Sequence, residues 1–154
     1  GASTTNLRQL VNEKMSAIGA RCKCIRCREV GQSKLRPESV GLQRLEYEAS
    51  NGKEIFLSFE DPENDILVAF LRLRIDNSDI AKVRELHVYG EMVPLGTRSG
   101  WQHKGFGKKL LEEAEAIAKE AGKNKIQVTS GVGAREYYKK LGYAIEGYYV
   151  AKEL

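Results

Sequence analysis

Two glycines two residues apart precede a strongly amphipathic stretch, and this feature constrains the fold of the chain more than any other. From Phe106 onward, apolar residues recur at the spacing of a helix, and Gly122 ends the pattern. The apolar residues of the stretch are Phe106, Leu110, Leu111, Ala114, Ile117, Ala118 and Ala121. The spacing predicts a helix with one face in a core and the other in solvent.

A glycine turn at the start of a helix is also a potential anion site. Gly105 and Gly107 have no side chains, so backbone amides can approach phosphate oxygens, and the positive end of the helix dipole faces the anion. Ordinary turn chemistry is the alternative, and glycine spacing alone does not decide between them. A predicted strand at residues 82–89 favours phosphate binding, because a strand, a glycine loop and a helix in succession aim amides at a phosphate.

The remaining pattern predicts a mixed sheet. Asn51-Gly52 is a hairpin signal between two apolar runs, and the segment 61–65 has turn composition. Helices and strands alternate in the second half of the chain, so we expect an α/β protein of the α+β type, with helices flanking the sheet. The predicted strands are 41–49, 54–59, 66–75, 82–89, 125–129 and 143–152, and a short helix is predicted at 134–141.

An additional amphipathic helix is predicted near the N-terminus. Asn6 is the expected N-cap and Gly19 the expected end. Its apolar stripe predicts packing against the core, and consists of Leu7, Leu10, Val11, Met15 and Ile18.

Length and composition are those of one soluble domain. The 154 residues, 42% of them hydrophobic, suffice for a single core. No apolar stretch approaches the roughly eighteen residues of a membrane span, and no secretory pattern opens the chain. Three cysteines, an odd number, do not suit a disulfide framework. We therefore expect a cytoplasmic protein that does not bind membranes.

Those cysteines form one cluster. Cys22, Cys24 and Cys27 are spaced so that a tight loop can bring three sulfurs to one tetrahedral zinc ion. Three free thiols are the alternative, and the spacing does not decide. The fourth ligand is left open between His87, His103, a carboxylate and a group outside the chain.

Basic residues crowd around the same cysteines. The formal charge of +4 is more often typical of a solvated surface than of a nucleic-acid-binding protein. A local cluster can nevertheless contact phosphates through salt-sensitive ion pairs, and this one comprises Arg21, Lys23, Arg26, Arg28, Lys34 and Arg36.

Two motifs together carry a family resemblance. The loop 102–107 has the form Gln-x-x-Gly-x-Gly, and the short helix closes in Tyr-x-x-Leu-Gly-Tyr at 138–143. With both, the chain resembles the GCN5-related N-acetyltransferase superfamily over roughly residues 40–154. That resemblance implies acetyl-CoA as the cofactor and a central, mostly antiparallel, splayed sheet flanked by helices.

Four motifs in order narrow the resemblance. They are the cysteine segment 22–31, the segment 85–90, the loop 102–107, and 130–133 ahead of 137–143. Together they resemble the Elongator-type family of tRNA uridine-modifying acetyltransferases. This implies a module that supplies the acetyl group for carboxymethylation at C5 of the wobble uridine. The implied partners are tRNA, other Elongator subunits and a radical S-adenosylmethionine domain with an iron-sulfur cluster. That radical domain is not part of this sequence.

The same resemblance implies a domain division. We expect residues 4–40 to be a helix and a cysteine-rich zinc-binding linker, and 41–154 to be the acetyltransferase domain. Residues 1–3, Gly-Ala-Ser without a Met, are expected to be a cloning remnant. The resemblance also favours zinc at the cysteines and a tRNA-facing role for the basic cluster.

Specific residues receive roles by the same resemblance. Glu85, Leu86, His87 and Val88 lie along the acyl-pantetheine arm. The pyrophosphate lies at Gln102, His103, Lys104, Gly105, Phe106, Gly107 and Lys108.

Two residue pairs receive catalytic roles. Tyr138 is the expected general acid for the departing thiolate, and Tyr137 contacts the cofactor, although the order of the two tyrosines is open. Glu85 and His87 share a strand face and suit general-base work; solvation at a strand edge is the alternative.

Two further function classes stay open. A conventional enzyme that transfers acetyl to a protein lysine or small amine would use the same cofactor site. A coenzyme A-binding or tRNA-binding module without turnover is the other alternative. The cysteine cluster and an insertion at residues 89–101 favour the tRNA-modifying function.

Overall fold

The computed structural model describes residues 6–31, 39–89 and 105–154. Within them lie four α-helices and seven strands. The helices are α1 (Leu7–Ala17), α2 (Ile25–Arg28), α3 (Phe106–Glu120) and α4 (Arg135–Lys140). The strands are β1 (Gly41–Ala49), β2 (Gly52–Asp61), β3 (Ile66–Ile75), β4 (Ile80–Val88), β5 (Lys125–Val128), β6 (Ala144–Glu146) and β7 (Tyr149–Glu153).

The described strands form one seven-stranded sheet in the order β1-β2-β3-β4-β5-β7-β6. β4 and β5 are parallel neighbours, and every other neighbouring pair is antiparallel. The parallel pair is joined through α3, since a parallel connection needs a crossover. The predicted mixed, mostly antiparallel sheet with flanking helices is confirmed.

The core lies between α3 and one face of the sheet. The residues that α3 turns inward match the predicted apolar face, and Leu110, Ala114 and Ala118 are completely buried. Ala121, also predicted for this face, follows the end of the helix and is exposed. Alternate residues of β2 and β3 meet the buried residues of α3, because successive side chains of a strand point to opposite faces. These residues include Ile55, Leu57, Phe59, Ala69, Leu71 and Leu73.

The β1–β2 hairpin is present, but its turn lies one residue earlier than predicted. Ser50 and Asn51 have positive φ angles of 49° and 57°, whereas Gly52 already pairs with Ala49 in the ladder. A Cβ on Gly52 would lie 2.9 Å from the Ile75 carbonyl oxygen. The glycine therefore serves close approach to β3, and not the turn itself.

The predicted core packing of the N-terminal stripe is wrong. α1 contains no buried residue, and Leu7, Val11 and Ile18 are 61%, 45% and 80% exposed. The helix itself forms and ends near Gly19, which has a φ of 69°. Periodicity predicted the helix correctly, but the partner of its apolar face is not among the described residues.

The final predicted strand is also corrected. Residues 143–152 form two strands, β6 and β7, which pair with each other as a hairpin. Gly147 adopts a φ of 61° in the turn between them. A glycine inside a strand pattern marks this interruption. Across the part of the chain that the structure describes, no helix has the length and apolar character needed to cross a membrane.

Candidate functional site

The sheet opens between its two parallel strands. β4 pairs with β3 as far as Val88, but its pairing with β5 ends at Val83 and Val128. A last hydrogen bond runs from the Thr129 amide to the Val83 carbonyl, at 3.0 Å. Among the residues that the structure describes, the second half of β4 therefore has an edge that faces no neighbouring strand, which we call the open edge (residues 84–88).

A β-bulge sets the orientation of this segment. Arg72 of β3 pairs with Glu85, whereas the next residue, Leu73, pairs with Val83, so Arg84 is an extra residue. Beyond the bulge, the Tyr89 amide donates to the Val68 carbonyl of β3, at 2.8 Å. Since backbone groups alternate in direction along a strand, the amides of Leu86 and Val88 face the open edge.

The N-terminus of α3 lies beside that edge. Gly105 has a left-handed φ of 71°, and the first helical hydrogen bond runs from the Lys109 amide to the Gly105 carbonyl, at 3.0 Å. The preceding amides of the first turn have no partner within the helix, and they carry the positive end of its dipole. Gln102, His103 and Lys104, which were predicted to share this loop, lie outside the described residues.

Gly107 brings the helix and a tyrosine together. A Cβ on Gly107 would lie 2.8 Å from the Tyr137 hydroxyl oxygen and 3.4 Å from Cγ2 of Val88. Only the absence of a side chain allows this contact. The phenol of Tyr137 is therefore held at the N-terminus of α3, next to the open edge.

These elements enclose a groove of about 540 Å³. It brings together seven of the predicted site residues: Leu86, Val88, Gly105, Gly107, Lys108, Tyr137 and Tyr138. Phe106 instead turns into the core, where its ring centroid is 4.7 Å from that of Phe59. Sequence reasoning did not assign Ala134, Lys140 and Leu141, which also line the groove. Their position on or beside the short helix that carries both tyrosines was the available signal.

The two tyrosines differ in their surroundings. Tyr138 is 5% exposed and Tyr137 is 41% exposed, with their ring centroids 5.3 Å apart. Burial raises the pKa of Tyr138 to about 12, with a smaller contribution from Tyr137, and burial also raises the pKa of Tyr137. Both phenols are therefore protonated at neutral pH, as a general acid must be.

Glu85 and His87 share a face of β4, but not the face that lines the groove. Alternation continued from Ala81 and Val83, both buried in the core, would direct Glu85 and His87 into the groove. The extra residue at the bulge reverses that pattern. Leu86 and Val88 face the groove instead, so the structure does not bring Glu85 and His87 together with the tyrosines.

The three predicted metal ligands do meet. The sulfur atoms of Cys22, Cys24 and Cys27 all lie within 4.8 Å of one another. Two hydrogen bonds lower the pKa of Cys24 to about 7: the larger effect comes from the Cys22 thiol and the smaller from the Cys27 backbone. The guanidinium of Arg8 lies 3.2 Å from the Cys27 sulfur. Three close sulfurs, one of them readily ionised beside a cation, have the donor chemistry that zinc requires.

The described residues add no fourth ligand to this group. Neither a histidine nor a carboxylate from 6–31, 39–89 or 105–154 joins the three thiols. The earlier candidate His87 lies on β4, and His103 is outside the described residues.

The cysteine segment is fixed to the sheet. Val30 is completely buried, and its amide donates to the Leu67 carbonyl of β3, at 2.9 Å. Arg28 donates to Asp65 at 2.7 Å and also pairs with Glu60. The cysteines are thus anchored to the β2–β3 hairpin through the residues that follow them.

Comparisons with known proteins agree with this geometry. A family model described as the acetyltransferase (GNAT) family matches residues 25–143. Over its whole length the chain is 53% identical to a tRNA uridine(34) acetyltransferase of Methanocaldococcus jannaschii, and 48% identical to Elongator complex protein 3 of Schizosaccharomyces pombe. It covers 32% and 31% of those proteins, or about a third of their length.

A solved structure gives the same result. The archaeal Elp3 of Methanocaldococcus infernus, with an N-terminal deletion, matches with a TM-score of 0.86 and 50% identity. The match covers 98% of this chain and 40% of that one. The predicted similarity to Elongator-type acetyltransferases is confirmed.

Proposed function

We propose that the groove binds acetyl-CoA, because this chain belongs to the GNAT family of acetyltransferases. The observation that carries the proposal is the adjacency of the open edge of β4 and the glycine turn of α3. An unpaired strand edge can hydrogen-bond an extended amide-containing chain, as in β-augmentation, and pantetheine is such a chain. A helix N-terminus suits the pyrophosphate.

Each predicted residue then has a task. In our proposal, the backbone of residues 85–88 hydrogen-bonds the acyl-pantetheine arm, and an amide of the open edge polarises the thioester carbonyl. Residues 102–108 bind the pyrophosphate. Tyr137, at the N-terminus of α3, contacts the cofactor near the phosphates. Tyr138, the more deeply buried phenol, protonates the departing thiolate.

We further propose that the acetyl group serves tRNA modification in the cytoplasm. Support comes from relatives named tRNA uridine(34) acetyltransferase and Elongator complex protein 3, at 53% and 48% identity. In this proposal the domain donates the acetyl group for carboxymethylation at C5 of the wobble uridine. Another catalytic unit of a longer protein, together with Elongator subunits, completes the reaction.

Thioester turnover tests this proposal. The purified chain is mixed with acetyl-CoA, and a thiol reagent reports free coenzyme A with and without tRNA. We expect tRNA to accelerate coenzyme A release, and a lysine peptide to have no effect. Acceleration by the peptide alone would establish conventional lysine transfer instead, and binding without any turnover would establish a cofactor-binding module.

We propose that Cys22, Cys24 and Cys27 bind a zinc ion. The mutual proximity of the three sulfurs supports it. Metal analysis of the purified chain should find about one zinc per molecule, and replacing Cys24 by Ser should abolish it. A metal-free chain whose three cysteines all react with an alkylating reagent would contradict this assignment.

A further inference from the structure

Four aromatic rings form a continuous cluster on the sheet face opposite the groove. They are the rings of Phe56, Phe70, His87 and Tyr89, from β2, β3 and the end of β4, and we call them the aromatic platform. The Phe70 ring stacks on Phe56 at 5.4 Å and on His87 at 6.0 Å, with interplanar angles of 18° and 15°. Tyr89 lies 4.4 Å from His87.

The platform is accessible at one end. Phe70 is 1% exposed and forms its base, whereas His87 is exposed and Tyr89 is half-buried. His87 and Tyr89 therefore present ring surface to a ligand, while Phe70 contacts both rings from beneath and Phe56 packs against Phe70. Aromatic and histidine rings on a sheet surface are the usual stacking partners of unpaired RNA bases.

A polar pair borders the platform. Arg72 and Glu85 pair directly across β3 and β4, with 3.6 Å between Nη1 and Oε2, and both side chains are partly exposed. A carboxylate accepts hydrogen bonds and a guanidinium donates them. A uracil ring offers the complementary set, an imide N–H flanked by two carbonyl oxygens.

The platform and the groove are two sides of the same strand segment. Leu86 and Val88 line the groove, and the alternating residues Glu85 and His87 border or form the platform. No described strand pairs with the open edge of β4, so the two faces of the sheet adjoin each other there. A ligand on the platform would be close to an acyl group held along the open edge.

We propose that the aromatic platform binds an unpaired uracil-type base of an RNA, stacked on His87 and Tyr89 and hydrogen-bonded by Glu85 and Arg72. This inference rests on the proposed function, which it deepens by assigning the acceptor base to a defined surface. It also gives Glu85 and His87 a task that fits their orientation. The acid–base role predicted for them in the groove does not fit, because their side chains are on the opposite face of β4.

Fluorescence binding with an anticodon stem-loop RNA tests the platform. One probe carries at the wobble position a fluorescent uracil analogue that keeps the imide edge and whose emission is quenched by stacking, and unlabelled versions carry uridine, cytidine or no base there. We expect quenching with the wild-type chain and tighter binding of uridine than of cytidine or the abasic RNA. Replacing His87 or Tyr89 by Leu should remove the quenching and weaken uridine binding roughly tenfold.

Controls separate this inference from the proposed function. Tyr148, 87% exposed on the β6–β7 turn, supplies the matched variant, and Tyr148→Leu should bind like wild type. Thermal melting checks that each variant is folded, and acetyl-CoA binding by the wild-type chain is measured separately. If the abasic and uridine RNAs bind equally, or the wild-type chain binds no RNA, the platform is overturned while acetyl-CoA binding still tests the groove. If the His87 or Tyr89 variants lost binding to a lysine peptide but kept RNA binding, that result would likewise overturn the proposed role of the platform.

Discussion

At the residue scale, the groove depends on positions where a side chain is absent or where one residue is added. Gly107 admits the Tyr137 hydroxyl to the N-terminus of α3, and the extra residue Arg84 redirects the strand beside it. The glycine turn was predictable from spacing, because few residues permit such close approach. The bulge was not predictable, since local sequence carries no clear signal for it. One added residue therefore reversed the orientation expected for Glu85 and His87.

The tyrosine pair yields a residue-scale prediction. Replacing Tyr138 by Phe should lower the rate of coenzyme A release by about 100-fold or more, because a buried phenol with a raised pKa is the proposed proton donor. Replacing Tyr137 by Phe should mainly raise the KM for acetyl-CoA. Steady-state kinetics with the thiol reagent separate the two effects. An unchanged rate in the Tyr138 variant, with a large loss in the Tyr137 variant, would reverse the assignment.

At the element scale, two helices with similar sequence patterns have different environments. α3 buries its apolar face against the sheet, whereas the stripe of α1 is exposed in the described structure. Periodicity predicted both helices, because it reports which residues share a face. It cannot report what covers that face, which is a property of the assembled chain.

A matched pair of substitutions measures this difference. Leu110 is completely buried and Leu10 is 37% exposed. Leu110→Ala should lower the free energy of unfolding by about 2–5 kcal/mol, because it leaves a cavity in the core. Leu10→Ala should change it by less than about 0.5 kcal/mol. Urea unfolding monitored by circular dichroism gives both values, and equal losses would show that α1 is packed in solution.

The β2–β3 turn yields a pH prediction. Asp61 accepts hydrogen bonds from the Asn64 side chain, from the Ser39 hydroxyl and from two turn amides, and these bonds lower its pKa. A carboxyl group whose pKa is lowered in the folded state stabilises the fold at any pH above the unfolded pKa, about 3.9. This contribution is lost as the pH falls below that value and through the lower pKa of the folded state.

Thermal melting of Asp61→Asn checks this sign. The variant should be less stable than wild type at neutral pH, and the difference should shrink below about pH 4. Asp79→Asn, on the exposed β3–β4 turn, serves as a control with no comparable contacts among the described residues. A stability difference that stayed constant from pH 7 to pH 3 would contradict the ionic role of Asp61.

At the scale of the whole molecule, one sheet presents different chemistry on its two faces and at its opening. The groove with α3 and α4 occupies one face, the aromatic platform occupies the other, and the open edge of β4 lies between them. Sequence motifs predicted the sheet, the glycine turn and the cysteine cluster. The family resemblance implied a splayed sheet, but the register that ends β5 pairing at Val83 depends on long-range contacts, so the sequence did not place the opening at a particular residue.

Isothermal titration calorimetry of acetyl-CoA binding to the chain tests the central claim most directly. Wild type should bind one equivalent. Gly107→Ala should weaken binding by tenfold or more, because its Cβ would lie 2.8 Å from the Tyr137 hydroxyl and displace it. Gly41→Ala, whose Cβ would lie an ordinary 3.7 Å from the Gln43 side chain and meet no other described residue, should bind like wild type. Absence of binding by wild type, or equal affinities for all three proteins, would contradict the account.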